Sequence, residues 1–182
     1  MNQTLAAFDA IIMECQDIFV KKTKDYGTAW RILRPASLTD QIFIKAKRIR
    51  NLQSNQEQKV EEGMDVEFIG IINYALMALI QLKHPPVDTE YRIDADQALH
   101  WYEEEATGIK QLLERKNHDY GEAWRDMRIA SMTDLILMKL LRIKEIEDNA
   151  GFTLISEGLD ANYQDIINYA VFCLIKLKEH DI

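Results

Sequence analysis

Arginine, lysine, aspartate and tryptophan, the residue types that grip anions, hold metal ions and stack on planar rings, occur in this chain in two matched sets. Lys22, Asp25-Tyr26-Gly27, Ala29-Trp30-Arg31, Arg34, Ala36-Ser37, Thr39-Asp40, Lys45 and Arg48 recur as Lys116, Asp119-Tyr120-Gly121, Ala123-Trp124-Arg125, Arg128, Ala130-Ser131, Thr133-Asp134, Lys139 and Arg142, at a constant offset of 94 residues. More than half of the positions from Lys22 to Ile49 match their partners, and most matches are charged, aromatic or glycine. Halves that shared only a fold would agree mainly in apolar pattern. These halves share polar chemistry or polar packing.

A second repeated cluster follows each of these blocks. Glu62-Gly63-x-Asp65 and Ile71-Ile72-Asn73-Tyr74-Ala75 return as Glu157-Gly158-x-Asp160 and Ile166-Ile167-Asn168-Tyr169-Ala170. At about 100° per residue, Glu62 and Asn73 fall nearly on one line of a helix, with Asp65 about 60° away. Met64, Phe68, Ile71 and Leu79 take the opposite, apolar face. Burying carboxylates is costly unless a metal or a cation compensates.

These residues suit phosphate chemistry. Arg31 and Arg34, like Arg125 and Arg128, precede a helix start, where guanidinium forks beside free backbone N–H groups favour an anion. Lys45 and Arg48, with Lys139 and Arg142, reach from the helix itself. Glu62, Asp65, Glu157 and Asp160, with Asp40 and Asp134 as second choices, are candidate ligands for Mg²⁺, which bridges carboxylates to phosphates. Trp30 and Trp124 are candidate walls of a base pocket. Each residue also has a structural role open to it. The tryptophans can anchor a loop, Asp40 and Asp134 can complete a capping box with Ser37 and Ser131, and Lys45 and Arg48 can bridge internally to Glu62 or Asp65.

The elements that must position these groups are helices. Leu5, Phe8, Ile11, Ile12, Cys15, Ile18 and Phe19 at helical spacing predict a helix over about 4–25, with Gly27 as its left-handed stop. A connector over 28–36 leads to a helix from Leu38 to about Leu52, and an apolar helix follows over about 60–83. His84-Pro85-Pro86 ends the first unit, and the plan repeats with helices near 96–118, 132–148 and 155–179. No segment alternates like a strand. The expected fold is an all-α bundle of two three-helix repeats, 1–87 and 88–182, packed as one body with pseudo-twofold symmetry.

Composition narrows the function. The chain has 182 residues, 47% of them apolar, and a net charge of −8, which disfavours direct nucleic-acid or anionic-membrane binding. Cys15 and Cys173 lack the spacing of a disulfide or zinc framework. The start Met1-Asn2-Gln3-Thr4 lacks signal-peptide features, and the apolar run from Phe68 to Leu82 is too short for a confident span. A cytoplasmic location is expected.

The Asp-Tyr-Gly-x-Ala-Trp-Arg, Ser-x-Thr-Asp and Glu-Gly-x-Asp…Ile-Ile-Asn-Tyr-Ala blocks resemble the bacterial and phage family called nucleotide modification associated domain, type 1, in two copies spanning nearly the whole chain. That resemblance implies a place in nucleotide or modified-base metabolism. More distantly, the helical plan with Glu-x-x-Asp is similar to the all-α pyrophosphohydrolases of the MazG and dimeric dUTPase type. That likeness implies Mg²⁺-dependent cleavage of a nucleoside triphosphate. The chain departs from the class in placing Lys45 and Arg48, not a second acidic motif, on the preceding helix. Three functions follow as expectations: a Mg²⁺-dependent nucleotide pyrophosphohydrolase, a non-catalytic nucleotide sensor, and an adaptor bundle held by internal salt bridges. The related hydrolases are dimers, so a homodimer is one arrangement, and an internal duplication supplying the pair is the other.

Overall fold

A computed structural model describes residues 2–54, 63–87, 89–154 and 157–180. Among them the chain is all-α, with helices α1 (Asn2–Tyr26), α2 (Pro35–Ser54), α3 (Met64–Lys83), α4 (Ala95–Tyr120), α5 (Ile129–Asp148) and α6 (Leu159–His180). Short 3-10 turns at Ala29–Ile32 and Ala123–Asp126 follow α1 and α4. The expected helices are all present, each displaced by a few residues at its ends. The expected start of the third helix near Val60 and of the sixth at Ile155 lie outside the described residues.

The second helix starts earlier than its polar signal indicates. Pro35 takes the first helical position, where its fixed φ is already helical and its missing N–H costs nothing. Ser37 therefore lies inside the first turn and is not the expected cap. Thr39 instead returns its hydroxyl to the Pro35 carbonyl at 3.1 Å.

The core forms where α2, α3, α5 and α6 pack together, with α1 and α4 laid across α3, α6 and each other. Helix α3 is apolar nearly all round because it lies at the centre. By length and composition it would also pass for a membrane span, but 72% of its most apolar stretch is buried in the bundle. Phe68, Ile71, Ile72, Leu76 and Ile80 are fully enclosed, as are Ile166, Ile167 and Tyr163 on α6.

The repeats interlock by paired polar contacts that obey the pseudo-twofold relation. Thr39 donates to Glu147 at 2.8 Å, and Gln53 donates to Thr133 at 3.0 Å, so the start of each middle helix meets the end of the other. Asp40 meets Lys144 at 3.2 Å, and Asp134 meets Arg50 at 3.6 Å. Asp9 pairs with Lys110 at 2.5 Å, while Gln16 donates to Glu103 at 2.9 Å across the same α1–α4 seam. The exposed ion pairs contribute little energy, but matched sets at both ends fix the antiparallel register of α2 and α5.

One buried bond breaks the symmetry. Asn73 on α3 donates to the Cys15 carbonyl at 3.0 Å and accepts from the fully buried Tyr102 hydroxyl at 2.8 Å, tying α3 to α1 and α4. In the other repeat Phe8 stands where Tyr102 does, and Asn168 Oδ1 is buried with no donor. Phe8→Tyr should restore that bond and raise the unfolding free energy by about 1 kcal/mol in urea denaturation. A loss of stability instead would mean the packed α1–α6 seam has no room for the hydroxyl.

Candidate functional site

The last turns of α1 deliver Ile18, Phe19, Lys22, Thr23 and Tyr26 to one side of a cavity. Gly27 ends that helix at φ +63°, its N–H returning to the Thr23 carbonyl at 2.8 Å, so the chain turns sharply under the cavity and presents Trp30 from the 3-10 turn. The linker holds this turn in place. Arg92 donates to the Tyr26 carbonyl at 3.3 Å, and the Thr28 hydroxyl bonds both the N–H (2.9 Å) and the carbonyl (2.8 Å) of Ile93. Helix α3 closes the far wall with Val66, Ile69, Gly70, Asn73, Tyr74 and Met77, and Lys45 enters from α2.

The cavity holds about 490 Å³. Among the described residues, four aromatic rings line it (Phe19, Tyr26, Trp30 and Tyr74) along with two lysines and no carboxylate. Lys22 has no hydrogen-bond or ion-pair partner among the described residues. Lys45 lies over Gly70, where any Cβ would meet its Cε at 2.8 Å, and reaches Glu67 at a loose 3.3 Å. Its ammonium also sits 5.7 Å from the Tyr74 ring centre. Glu67 is buried and bonded more closely by Arg48, at 2.5 Å. The Trp30 indole N–H is buried without an acceptor.

The equivalent place in the second repeat has nearly closed, to about 130 Å³. Asp165 stands where Gly70 does and bonds Lys116 and Lys139, each at 2.8 Å. Phe172 stands where Met77 does and stacks on Trp124, with ring centres 4.3 Å apart and planes 5° from parallel. Burial alone would raise the Asp165 carboxyl. The bonds from Lys116 and Lys139 outweigh it and hold the group below its ordinary value.

The structure distributes the expected phosphate and metal groups differently from one another. Lys45 and Trp30 line the open cavity together with Lys22, which the sequence pattern singles out only as a repeated residue. Arg31 is turned inward: its guanidinium bonds Gln81 and lies over the faces of Trp30 and Trp101 at 5.8 and 5.4 Å. Gln81 in turn bonds the Arg31 and Leu33 carbonyls at 2.8 and 2.7 Å. In the second repeat Lys176 does the same job, bonding the Arg125 and Met127 carbonyls at 2.6 Å each. Arg125 covers Trp124 and pairs with Glu122 and Glu179, both at 2.9 Å. These two arginines pin the 3-10 turns. Arg34 and Arg128 are exposed, away from either cavity lining.

Asp65 is exposed on the first turn of α3 and does not line the cavity, and Glu62 lies outside the described residues. Glu157 shares an open hollow with Lys139, Arg142 and Glu145, whereas Asp160 lines another beside Lys83 and Glu105. Asp40 and Asp134 serve the cross-repeat pairs described above. Lys45 and Arg48 do bridge internally to a carboxylate of the neighbouring helix, but to Glu67, two residues beyond Asp65. Among the described residues no three acidic, histidine or cysteine side chains gather to hold a metal ion. Two well-buried carboxylates, Glu67 and Asp165, are each met by two cations. The expected Mg²⁺ ligands that are described, Asp65, Glu157, Asp160, Asp40 and Asp134, do not converge on one point.

Nor do the cysteines supply a nucleophile. Burial pushes the Cys15 thiol up to about 12 and the Cys173 thiol upward as well, so both stay protonated at neutral pH.

The molecule is thus a tandem-repeat helical protein with one open and one closed copy of the same aromatic, lysine-edged cavity. It belongs to the family described as nucleotide modification associated domain 1, whose model matches residues 22–82 and again 116–177. One match falls in each repeat. The family description associates it with nucleotide modification. No curated protein and no solved structure matches the chain. The family match does not show the more distant likeness to the all-α pyrophosphohydrolases, which rests on the helical plan with Glu-x-x-Asp.

Proposed function

We propose that the first repeat binds a nucleotide, with the base among Phe19, Tyr26, Trp30 and Tyr74 and the phosphate between Lys22 and Lys45. The carrying observation is the lining: four aromatic rings and two lysines, with no carboxylate among the described lining residues to repel an anion. A volume of 490 Å³ lies within the range of small-molecule sites, roughly 300–1,000 Å³. Aromatic faces supply sequence-tolerant stacking for a base, and ammonium groups supply charge-assisted bonds to phosphate. The association of the family with nucleotide modification supports the same ligand class.

Cleavage between the α- and β-phosphates would need carboxylates opposite those lysines to carry Mg²⁺, and the described residues bring none there. Binding without turnover is therefore the function we assign, which makes the chain a nucleotide sensor or carrier. A thermal-shift screen of ribo- and deoxynucleotides, each with and without Mg²⁺, tests this. A ligand present at a hundred times its Kd adds about 2.7 kcal/mol, a rise of roughly 5–10 °C for a chain of this size. The shift should not require Mg²⁺. If no nucleotide moves the transition, the assignment is wrong. If pyrophosphate appears only with Mg²⁺, the chain is an enzyme after all.

A further inference from the structure

Building on that nucleotide assignment, we infer that the second repeat carries the same site closed by its own side chains, with Asp165 in the place of the phosphate and Phe172 in the place of the base, so that the chain takes one nucleoside monophosphate. The protein supplies its own comparison. Lys116 and Lys139 converge on the two oxygens of one carboxylate, each at 2.8 Å. Their counterparts Lys22 and Lys45 face the same space, but Gly70 provides no carboxylate. A phosphoryl group offers oxygens of the same kind to the same pair of ammonium groups.

The base subsite repeats the pattern. Phe172 lies flat on Trp124 at 4.3 Å, the geometry of a stacked ring. Its counterpart Met77 is unbranched and flexible, and it leaves the Trp30 side of the cavity open to a planar guest. The first repeat is also wired to release its lysine. Lys45 holds Glu67 only at 3.3 Å, and Arg48, at 2.5 Å, satisfies that carboxylate when Lys45 turns to a ligand.

Spacing sets the ligand class. Asp165 and Phe172 lie seven residues apart on α6, two helical turns, or about 10.5 Å of rise. A base joined through its sugar to one phosphate covers that kind of span. Among the described residues no further cation lines the cavity to receive β- and γ-phosphates.

The test is calorimetric titration of the full chain with dAMP, dCMP, dGMP and dTMP, each against its triphosphate, and with inorganic phosphate. The wild-type chain should take one equivalent of at least one monophosphate, more tightly than the matching triphosphate. Asn162→Glu/Asp165→Gly/Phe172→Met, which gives Lys139 a carboxylate one turn back as Glu67 does for Lys45, should take two. Gly70→Asp/Met77→Phe should lose at least a hundredfold in affinity without a fall in melting temperature.

A folded triple variant that still binds one equivalent would overturn the inference and leave the nucleotide assignment standing. Two sites in the wild-type chain, or a preference for triphosphates, would do the same. If the triple variant does not fold, the reciprocal double variant decides: retained affinity refutes the closed-copy inference. An absence of nucleotide binding in the wild-type chain would remove both.

Discussion

Lys22→Glu should weaken nucleotide binding by roughly a hundredfold, about 2.7 kcal/mol, while leaving the stability of the fold nearly unchanged. The two effects separate because of where Lys22 sits. Its side chain is exposed at the cavity edge and has no partner among the described residues to abandon, and surface changes of that kind usually stay within about 0.5 kcal/mol. A charge-assisted bond to phosphate contributes about 1.5–3 kcal/mol, and reversal replaces it with repulsion. Lys116→Glu is the matched control. It should leave nucleotide affinity intact, because Asp165 already fills that site, and should cost stability instead. Titration calorimetry on both variants, beside their urea midpoints, checks the pair. Equal loss of affinity from both would place the ligand somewhere other than the first repeat.

Asp165→Asn should lower the unfolding free energy by about 3 kcal/mol, the lower end of the cost of leaving a buried cation unpaired. Lys139 is only 12% exposed and meets no other carboxylate among the described residues, whereas Lys116, at 46%, can turn to water. The same substitution should alter the acid limb of stability. The folded carboxyl lies below its ordinary 3.8 despite burial, because both lysines bond its charged form. A depressed folded value means that the stabilisation is complete above about pH 4. It is lost as pH falls through the folded value. The advantage of the parent over the variant should therefore be constant near neutrality and shrink below about pH 4. A difference that grew on acidification would contradict the pairing.

Much of this architecture is legible in the chain as a string. The 3.6-residue period of Leu5, Phe8, Ile11, Ile12, Cys15, Ile18 and Phe19 names the inward face of α1: all but Leu5 and Ile18 are enclosed, those two are half-buried, and Thr4 is enclosed with them. The flanking glycines mark the helix ends because only their positive φ lets the chain turn there. Helix starts were less legible. Ser37 looks like a cap, but Pro35, two residues earlier, starts the helix through its restricted backbone.

The site was legible only in part. That Lys45, Trp30 and Lys22 repeat is visible without coordinates, and so are the cations around them. Their division of labour is not. Arg31 and Arg34 have the same charge and nearly the same address, yet one is folded under two indole rings and the other faces water. Gln81 and Lys176 share a task while differing in type, so no match of letters reveals it.

The linear order of residues determined the helices, their duplication and the pairing of the repeats, because these depend on periodicity and on identical side chains at a fixed offset. The fate of each repeated charge was decided by tertiary packing. A lysine is a binding group or a structural one according to what the neighbouring helix sets opposite it. At that facing position one repeat has glycine and methionine, the other aspartate and phenylalanine. On paper those are two unremarkable differences in an apolar stretch. Folded against the α1 and α2 lysines, they separate an open cavity from a filled one.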